Sequence, residues 1–269
     1  DLPYTDCSPG FGSVAKYIAT STLEAGLDVK SMAKTSTKVF ILEVMGRHAG
    51  WIAAASCLAA TRAGDPPHII LLPEVPFEKA KFISEVKKTI KKHGYCVVVA
   101  SEGTQTKKGT FLADSGLTDA FGHKQLGGVA PILANMVSKI GLKNHWAVAD
   151  YLQRSARHIA SKTDLNQAYA VGEHAVKLAI DGKTAVMPII KRVNDSPYRW
   201  KIETVPLKNV ANIEKTLPKK FISKSGFEIT QAGKTYLRPL IEGEAPTKYV
   251  NGLPDVAELK KIKVKKKLN

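Results

Sequence analysis

The sequence of 269 residues is poor in cysteine and has no long apolar run. Its three cysteines, Cys7, Cys57 and Cys96, lie far apart, and none belongs to a Cys-X-X-Cys pair. An odd number with this spacing argues against a disulfide framework and a zinc site, and it favours a reducing compartment. No segment approaches the roughly 18 apolar residues of a membrane span, and no signal-peptide pattern is present. We therefore expect a cytoplasmic protein that does not contact a membrane.

Acidic residues are also scarce, with 24 Asp and Glu against 40 Lys and Arg, which gives a formal net charge of +16. This balance favours anionic partners such as nucleic acids, membrane surfaces or phosphorylated small molecules. Six lysines and one glutamate between 258 and 269 contribute +5, and we expect this tail to be solvated. The tail has no interleaved aromatic residues and the chain has no recognised nucleic-acid-binding motif, so we expect no nucleic-acid partner.

Short apolar runs alternate with segments of helical periodicity along most of the chain. The predicted strands are 38–44, 68–72, 95–100, 146–152, 184–190 and an edge strand at 200–205. The predicted helices are 51–63, 77–92, 128–140, 165–180 and two shorter ones at 209–217 and 230–240. The polar, glycine-containing segment 101–126 is predicted to be a long loop. Strands that alternate with helices indicate an α/β fold with a mostly parallel sheet covered on both faces.

Polar and charged side chains follow three of these strands. Arg47 follows the first, Glu102 the third, and Tyr151 and Arg154 the fourth. Because the carboxyl ends of parallel strands meet at one rim, we expect these side chains to converge there. Two guanidinium groups and a carboxylate suit a phosphorylated, hydroxyl-rich ligand. Taken singly, each motif is also compatible with an ordinary loop that carries an exposed arginine, a loop-capping glutamate or a half-buried tyrosine.

A glycine-containing segment, TDCSPGFGS at 5–13, precedes apolar residues at roughly helical spacing. The start of a helix can bind phosphate, because its free N–H groups and the helix dipole favour an anion. The same segment is also typical of a simple turn that leads into a helix cap. Spacing alone favours the turn.

Five stretches carry a family resemblance: DLPYTDCSPGFGSVAKYIATS at 1–21, KVFILEVMGRHAGWIAAAS at 38–56, VVVASEGT at 97–104, DAFGHKQLGGVAP at 119–131 and DYLQRS at 150–155. On these stretches the sequence resembles the phosphofructokinase family over nearly its whole length, and it is most similar to the pyrophosphate-dependent branch. The resemblance implies the Rossmann-like, three-layer parallel sheets of that fold. It also implies transfer of a phosphoryl group, with Mg²⁺, from pyrophosphate to the 1-hydroxyl of fructose 6-phosphate in glycolysis.

The resemblance also assigns roles to single residues of this sequence. The residues matched to substrate binding are Lys38, Met45, Gly46, Arg47, Glu102, Tyr151 and Arg154. Within this set Arg47 contacts the sugar phosphate, Glu102 binds the sugar, and Arg154 contacts the 6-phosphate. Lys38 is matched to a basic residue that reaches the sugar phosphate of a neighbouring subunit, which implies a homo-oligomer with a shared active site.

Asp1 is matched to the second carboxylate of the catalytic loop, next to the metal and the transferred phosphoryl group. The general base and the phosphoryl-donor site are then expected upstream, so that the first domain lacks its amino-terminal part and the chain alone is inactive. The expected divisions are the end of the catalytic loop with the start of the next helix (1–14), a sugar-phosphate domain (15–152), a return to the donor domain (153–195) and an extension with a basic tail (196–269).

Two alternatives stay open. The first is ATP instead of pyrophosphate as the donor, although Tyr151, where ATP-dependent members usually have histidine, favours pyrophosphate. The second is a non-catalytic subunit that senses a sugar phosphate.

Overall fold

The computed structural model describes residues 2–118, 124–126 and 128–263. The expectations for Asp1, for part of the FGHKQLGG segment and for the end of the lysine tail concern residues outside these ranges. The described helices are α1 Phe11–Met32, α2 Trp51–Ala55, α3 Lys79–His93, α4 Val129–Ser138, α5 Leu152–Ser155, α6 Lys162–Ile180 and α7 Gln231–Leu237. None of them is long and apolar enough to cross a membrane.

The described strands form one parallel sheet and three antiparallel pairs. They are β1 Val39–Val44, β2 Ile69–Leu71, β3 Cys96–Ser101, β4 Asp114–Thr118, β5 Lys124–Leu126, β6 Asn144–Val148, β7 Val186–Asp195, β8 Tyr198–Pro206, β9 Tyr249–Val250 and β10 Leu253–Pro254. The parallel sheet has the order β2-β3-β1-β6. The pairs β4 with β5, β7 with β8 and β9 with β10 are antiparallel. The predicted α/β fold with a parallel sheet is confirmed.

Helices cover both faces of the parallel sheet. Successive side chains of a strand point to opposite faces, and in β1 Leu42 and Val44 pack with Ile18 of α1, whereas Val39 and Ile41 pack on the opposite face. That opposite face is covered by side chains of α3 and α4. The two apolar clusters make β1 buried on both sides, which explains its nearly continuous apolar sequence.

The last third of the described chain is joined to the same core. Leu217, Phe221, Ile229 and Leu237 are each at most 5% exposed, and they belong to the apolar cluster that contains Leu42. The sequence assigned no role to this region. The division into 1–14, 15–152, 153–195 and 196–269 stays a prediction.

Four predicted elements are wrong in kind or extent. The helix 51–63 is α-helical only to Ala55 and continues as a 3-10 turn to Ala59, where the extended Ala60 ends it. The loop 101–126 contains β4 and β5, which form a two-stranded sheet of their own among the described strands and lack the apolar run of a central strand. The helix at 209–217 is not formed, because Asn212 has a left-handed φ of 60° that a helix excludes. The strand 146–152 ends at Val148, since Asp150 turns the chain with φ 37° and α5 begins at Leu152.

Candidate functional site

The carboxyl ends of three parallel strands form one rim. Val44 at the end of β1 pairs with Ser101 at the end of β3, and Glu43 pairs with Val148 at the end of β6. The loops that follow these positions carry Gly46, Glu102 and Tyr151. The predicted convergence of the three strand ends is therefore confirmed in the backbone.

Two loops of the rim are locked together. Glu102 accepts a hydrogen bond at Oε1 from the N–H of Gly46, at 3.1 Å. Gly46 has φ 142°, and a Cβ there would lie 2.8 Å from the carbonyl oxygen of Ala49. Gly103 lies against the backbone carbonyls of Gly46 and Arg47, where a Cβ has no room. Glycine at both positions lets the loop that carries Arg47 lie directly on the loop that carries Glu102.

A cleft of 790 Å³, called the rim cleft below, opens beside these loops. It is lined by Gly10, Ser13, Val14, Met45, Ile52, Gln153, Arg154, Ser155, Ala156, Arg157 and Ala160. The cleft therefore joins Met45, which follows β1, to Arg154, which follows β6. Its volume lies within the usual range of about 300–1,000 Å³ for small-molecule sites.

Arg154 and Tyr151 are placed next to each other at the third strand end. The guanidinium carbon of Arg154 lies 5.2 Å from the centre of the Tyr151 ring, and this ring is 66% exposed. The side chain of Gln153 between them is buried and donates to the carbonyl oxygen of Asp150 at 2.9 Å. This bond braces the turn from which Arg154 enters the rim cleft.

Arg157 is a lining residue that the sequence analysis did not single out. Its Nη1 donates to the carbonyl oxygen of Ala245 at 2.6 Å, so that the side chain is tied to the C-terminal region. Ala156, with ψ 61°, ends α5 before Arg157, so the two arginines do not lie on one helix and helical spacing could not have identified Arg157. Arg157 gives the rim cleft a second guanidinium group.

Three helices of the site begin at a glycine and are capped by a distant carboxylate. Gly10, Gly50 and Gly128 occupy the N-cap positions of α1, α2 and α4, and no N-cap side chain accepts a hydrogen bond there. Such helix starts leave N–H groups without an acceptor. The acceptors come from the side chains of Asp164, Glu74 and Glu43.

Asp164 of α6 caps α1. Its Oδ1 accepts from the N–H of Gly10 at 2.8 Å, and its Oδ2 accepts from the N–H of Ser13 at 3.0 Å and from the Ser13 hydroxyl at 2.5 Å. These are N–H groups that a phosphate at this helix start would require. The interpretation of 5–13 as a turn leading into a capped helix is therefore confirmed.

Glu43 and Glu74 act in the same way. Glu43 is 2% exposed and accepts from the N–H of Gly128 at 3.0 Å and of Ala130 at 2.8 Å. Burial raises the pKa of Glu43, whereas the bonds from Ala130 and Gly128 act in the opposite direction. Glu74 accepts at Oε1 from the N–H of Gly50 at 2.9 Å and of Leu217 at 2.8 Å, which joins the start of α2 to the C-terminal region.

The segment that follows Asp1 is held by residues from the C-terminal third. The Tyr236 hydroxyl donates to the carbonyl oxygen of Asp6, and the Asp6 carboxylate accepts from the N–H of Arg192 at 2.7 Å. The Lys215 ammonium donates to the carbonyl oxygen of Thr5 at 2.8 Å. Burial lowers the pKa of Lys215 and raises the pKa of the Cys7 thiol to about 12.

Lys38 lies away from the other predicted site residues. It precedes β1, at the amino end of the strand, and its ammonium donates to the carbonyl oxygen of Ala33 at 2.6 Å. The strand of 6 residues separates it from the rim, a span of about 20 Å at roughly 3.3 Å per residue. Within one chain, Lys38 therefore does not join Arg47 or Arg154.

A comparison with known protein families shows to which family the chain is related. A sequence model described as phosphofructokinase matches residues 1–179. The chain belongs to the phosphofructokinase family. The matched range contains every predicted site residue of this family member, together with Asp164 and Arg157.

Two curated relatives are named pyrophosphate–fructose 6-phosphate 1-phosphotransferase. The protein from Halomonas elongata is 63% identical over 269 residues, and that from Methylococcus capsulatus is 57% identical over 269 residues. The crystal structure of a pyrophosphate-dependent phosphofructokinase from Marinobacter aquaeolei is 58% identical and superposes with a TM-score of 0.88. In each comparison the whole of this chain is covered, and it spans 64% of the length of the relative.

A metal centre is not formed by the described residues. Among them, no group of three His, Cys, Asp or Glu side chains is placed to hold a metal ion. Asp1, to which the resemblance gives a metal-binding role, lies outside the described ranges.

Proposed function

We propose that this chain forms the sugar-phosphate side of a pyrophosphate-dependent 6-phosphofructokinase, which transfers a phosphoryl group from pyrophosphate to the 1-hydroxyl of fructose 6-phosphate. The observation that carries the proposal is the rim cleft, in which Met45 and Arg154 come from two different strand ends and meet beside α1. The names of the relatives point to the reaction, and the volume and the two arginines of the rim cleft support a phosphorylated sugar as its ligand.

The residues at the rim divide the recognition of fructose 6-phosphate. Arg154 binds the 6-phosphate, because a guanidinium group matches phosphate oxygens with two parallel hydrogen bonds. Arg157 adds positive charge to the same cleft. Glu102 orients the sugar, since its Oε1 is fixed on Gly46 and, within the described residues, its Oε2 accepts no hydrogen bond and is available for a sugar hydroxyl. Arg47 and Glu102 do not line the rim cleft itself, and in this proposal Arg47 reaches the sugar phosphate from the loop that follows Met45.

We extend the proposal to Mg²⁺ with Asp1 as a ligand. Mg²⁺ usually keeps several waters and is held by one or two carboxylates together with substrate phosphates. A site of that kind needs few protein ligands, which is compatible with the described part of the chain. When bound, the ion would neutralise charge on the transferred phosphoryl group. Chelation of Mg²⁺ should abolish turnover, and added Mg²⁺ should restore it.

We also propose a homo-oligomer in which Lys38 serves the site of a neighbouring subunit. Its place at the amino end of β1 supports this, because the side chain cannot reach the rim of its own chain. The edge strand β6 supports it as well, since Trp146 is 48% and Val148 is 39% exposed there. The proposal also includes a cytoplasmic location and a role in glycolysis.

Binding of fructose 6-phosphate tests the site. In the whole protein, Arg154→Met should weaken binding measured by titration calorimetry at least tenfold, which corresponds to about 1.4 kcal/mol. Arg199→Met is the matched control, because Arg199 is exposed and lines no part of the rim cleft. Equal affinity of Arg154→Met and the unchanged protein would refute the assignment of the rim cleft.

Turnover with each donor tests the reaction. The whole protein should transfer phosphate from pyrophosphate and not from ATP. Preference for ATP would show that ATP is the phosphoryl donor, and it would leave the assignment of the sugar site unchanged. Binding of fructose 6-phosphate with no turnover from either donor would favour the non-catalytic sensing subunit.

A further inference from the structure

A second cleft of 730 Å³ shares no lining residue with the rim cleft. Its walls come from three parts of the chain that are distant in sequence. They are the turn at 60–63, the β7–β8 turn at 195–198, and α7 with the helical turn that follows it, at 231–242. We call this the basic cleft, for the charges described next.

Three cations line the basic cleft. Lys234 and Arg238 are four residues apart, so they lie on one side of α7 and the turn that continues it. Arg62 faces them from the first wall. Within the described ranges, no carboxylate forms a close ion pair with any of these three side chains, although Asp65 lies near enough to interact with the charge of Arg62.

Only two of the described acidic residues line the same cleft. Asp195 is already ion-paired with Arg192, at 2.6 Å between Oδ1 and Nη1. Glu242 is exposed where the chain leaves the last wall. The cations therefore outnumber the acids that remain to balance them, and an anion is the ligand that the cleft favours.

The turn that presents Arg62 is held in place. The Oδ2 atom of Asp65 accepts from the N–H of Arg62 at 2.8 Å, and from the N–H and hydroxyl of Thr61 at 3.2 and 3.1 Å. A smaller cleft of 360 Å³ adjoins this turn and also contains Arg62 and Lys234. The two cations thus line both spaces, and Asp65 and Glu228 line the smaller one as well, which gives room there for the uncharged or hydroxyl-bearing part of a ligand.

We propose that the basic cleft binds a small phosphorylated molecule through Arg62, Lys234 and Arg238, at a site separate from the rim cleft. The guanidinium groups suit two oxygens of a phosphate monoester, and the lysine adds a point charge. The volume suits a ligand the size of a sugar phosphate or a nucleoside monophosphate.

The basic cleft has a physical connection to the segment after Asp1. Tyr198 lines the cleft, and its hydroxyl accepts a hydrogen bond from Gln167 at 2.9 Å, while Gln167 accepts one from the Cys7 thiol at 3.2 Å. The guanidinium group of Arg192 lies 4.7 Å from the Tyr198 ring and 4.0 Å from the Tyr236 ring. A ligand that moves Tyr198 or α7 would thus act on the residues that hold Asp6 and Cys7.

Tungstate, a phosphate analogue with a strong anomalous signal, tests the position of the site. Crystals of the whole protein soaked in tungstate should show an anomalous peak between Arg62, Lys234 and Arg238, in addition to any peak in the rim cleft. Peaks confined to the rim cleft would overturn the proposal.

Inorganic phosphate tests the site in solution. The double substitution Lys234→Met and Arg238→Met should weaken one class of phosphate binding in titration calorimetry by at least tenfold, whereas Arg154→Met should leave that class intact. Lys208→Met with Arg199→Met removes the same charge outside both clefts and is the control. Equal weakening by the control pair would show a general charge effect and overturn the proposal, as would unchanged binding in a folded Lys234→Met, Arg238→Met protein.

Failure of this proposal is distinguishable from failure of the proposed function. Loss of fructose 6-phosphate binding in Arg154→Met concerns only the rim cleft. Loss of phosphate binding in Lys234→Met with Arg238→Met concerns only the basic cleft. A circular-dichroism melting curve of each variant shows whether the fold is kept.

Discussion

The carboxylate of Asp164 accepts hydrogen bonds from both the N–H and the hydroxyl of Ser13. The two residues are 151 positions apart, and the contact joins α6 to the first turn of α1. Asp164 is 5% exposed, so water does not readily replace it as an acceptor. The wall of the rim cleft formed by Gly10 and Ser13 therefore depends on a side chain that does not itself line the cleft.

Replacing Asp164 with alanine should destabilise the protein. Two backbone N–H groups and one hydroxyl would lose their acceptor, and a lost helix cap with unsatisfied buried donors costs roughly 2–4 kcal/mol. Urea denaturation followed by circular dichroism measures the change. Asp28→Ala, at an exposed position of the same helix α1, is the control and should change the free energy of unfolding by less than about 0.5 kcal/mol.

Gly103→Ala should disable the rim while most of the fold remains. An added Cβ would collide with the carbonyl oxygens of Gly46 and Arg47 and push the two loops apart. A displacement of about 1 Å at a binding site can cost on the order of 100-fold in kcat/KM. Steady-state kinetics with fructose 6-phosphate measures the loss, and wild-type kcat/KM in this variant would contradict the close approach of the loops.

Gly172→Ala is the matched control for Gly103→Ala. Gly172 lies inside α6, and a Cβ there would meet no atom within 4 Å. Alanine is a better helix former than glycine by roughly 0.5–1 kcal/mol, so this substitution should stabilise the protein by about that amount. The same chemical change should thus have opposite effects at the two positions.

His68 should make stability depend on pH. Its Nδ1 accepts a hydrogen bond from the N–H of Val97 at 3.0 Å, and its ring lies 5.1 Å from the ring of His93. Burial, and then the charge of His93, lowers the pKa of His68 to about 4, from an ordinary value of 6.5. The unfolded chain therefore binds more protons than the folded protein between these two values.

The direction of the effect follows from this difference. The stability that His68 contributes is fully present above about pH 6.5 and is lost as the pH falls towards 4, with a slope of up to about 1.4 kcal/mol per pH unit. His68→Asn keeps an acceptor near the Nδ1 position and should flatten the pH dependence of the urea midpoint. His158→Asn, at an exposed histidine, is the control. An unchanged slope in His68→Asn would contradict the prediction.

The three free cysteines should react only after unfolding. Burial raises the pKa of Cys7 and of Cys57 to about 12, and it raises the pKa of Cys96 as well. Since the thiolate is the reactive form, alkylation by iodoacetamide at pH 8 should be slow in the native protein and fast in urea. Mass spectrometry counts the modified sites. Rapid alkylation of native Cys57 or Cys96 would show that these sites open without global unfolding.

The sequence predicted the parallel sheet and the rim because the relevant signals are local. Apolar runs such as 38–44 report burial on both faces, and the residues after each run, such as Arg47 and Glu102, follow directly from strand ends. Parallel pairing then brings these ends together without further information.

The partners of the helix starts could not be predicted in the same way. Glycine at the N-cap of α1, α2 and α4 shows that an acceptor is missing, but it does not show which carboxylate supplies it. Glu43 and Glu74 are only 85 and 24 residues from the N–H groups that they cap, whereas Asp164 is 154 residues from Gly10. The packing of Phe221 and Leu237 on the core was missed for the same reason, since a short apolar pattern does not identify its distant partner.

The contacts that hold Thr5 and Asp6 also determine when this segment can reach its native structure during synthesis. The hydrogen bonds of Thr5 involve Ile190 and Lys215, which are synthesised 185 and 210 positions later. The hydrogen bond to Asp6 comes from Tyr236, which is 230 positions later. At a synthesis rate of roughly 5–20 residues per second, the ribosome needs on the order of tens of seconds to supply these partners. During that interval the strands of the rim are already synthesised, whereas the described contacts of Thr5 and Asp6 with Ile190, Lys215 and Tyr236 cannot yet form. The earliest residues of this sequence are therefore among the last to reach their native contacts.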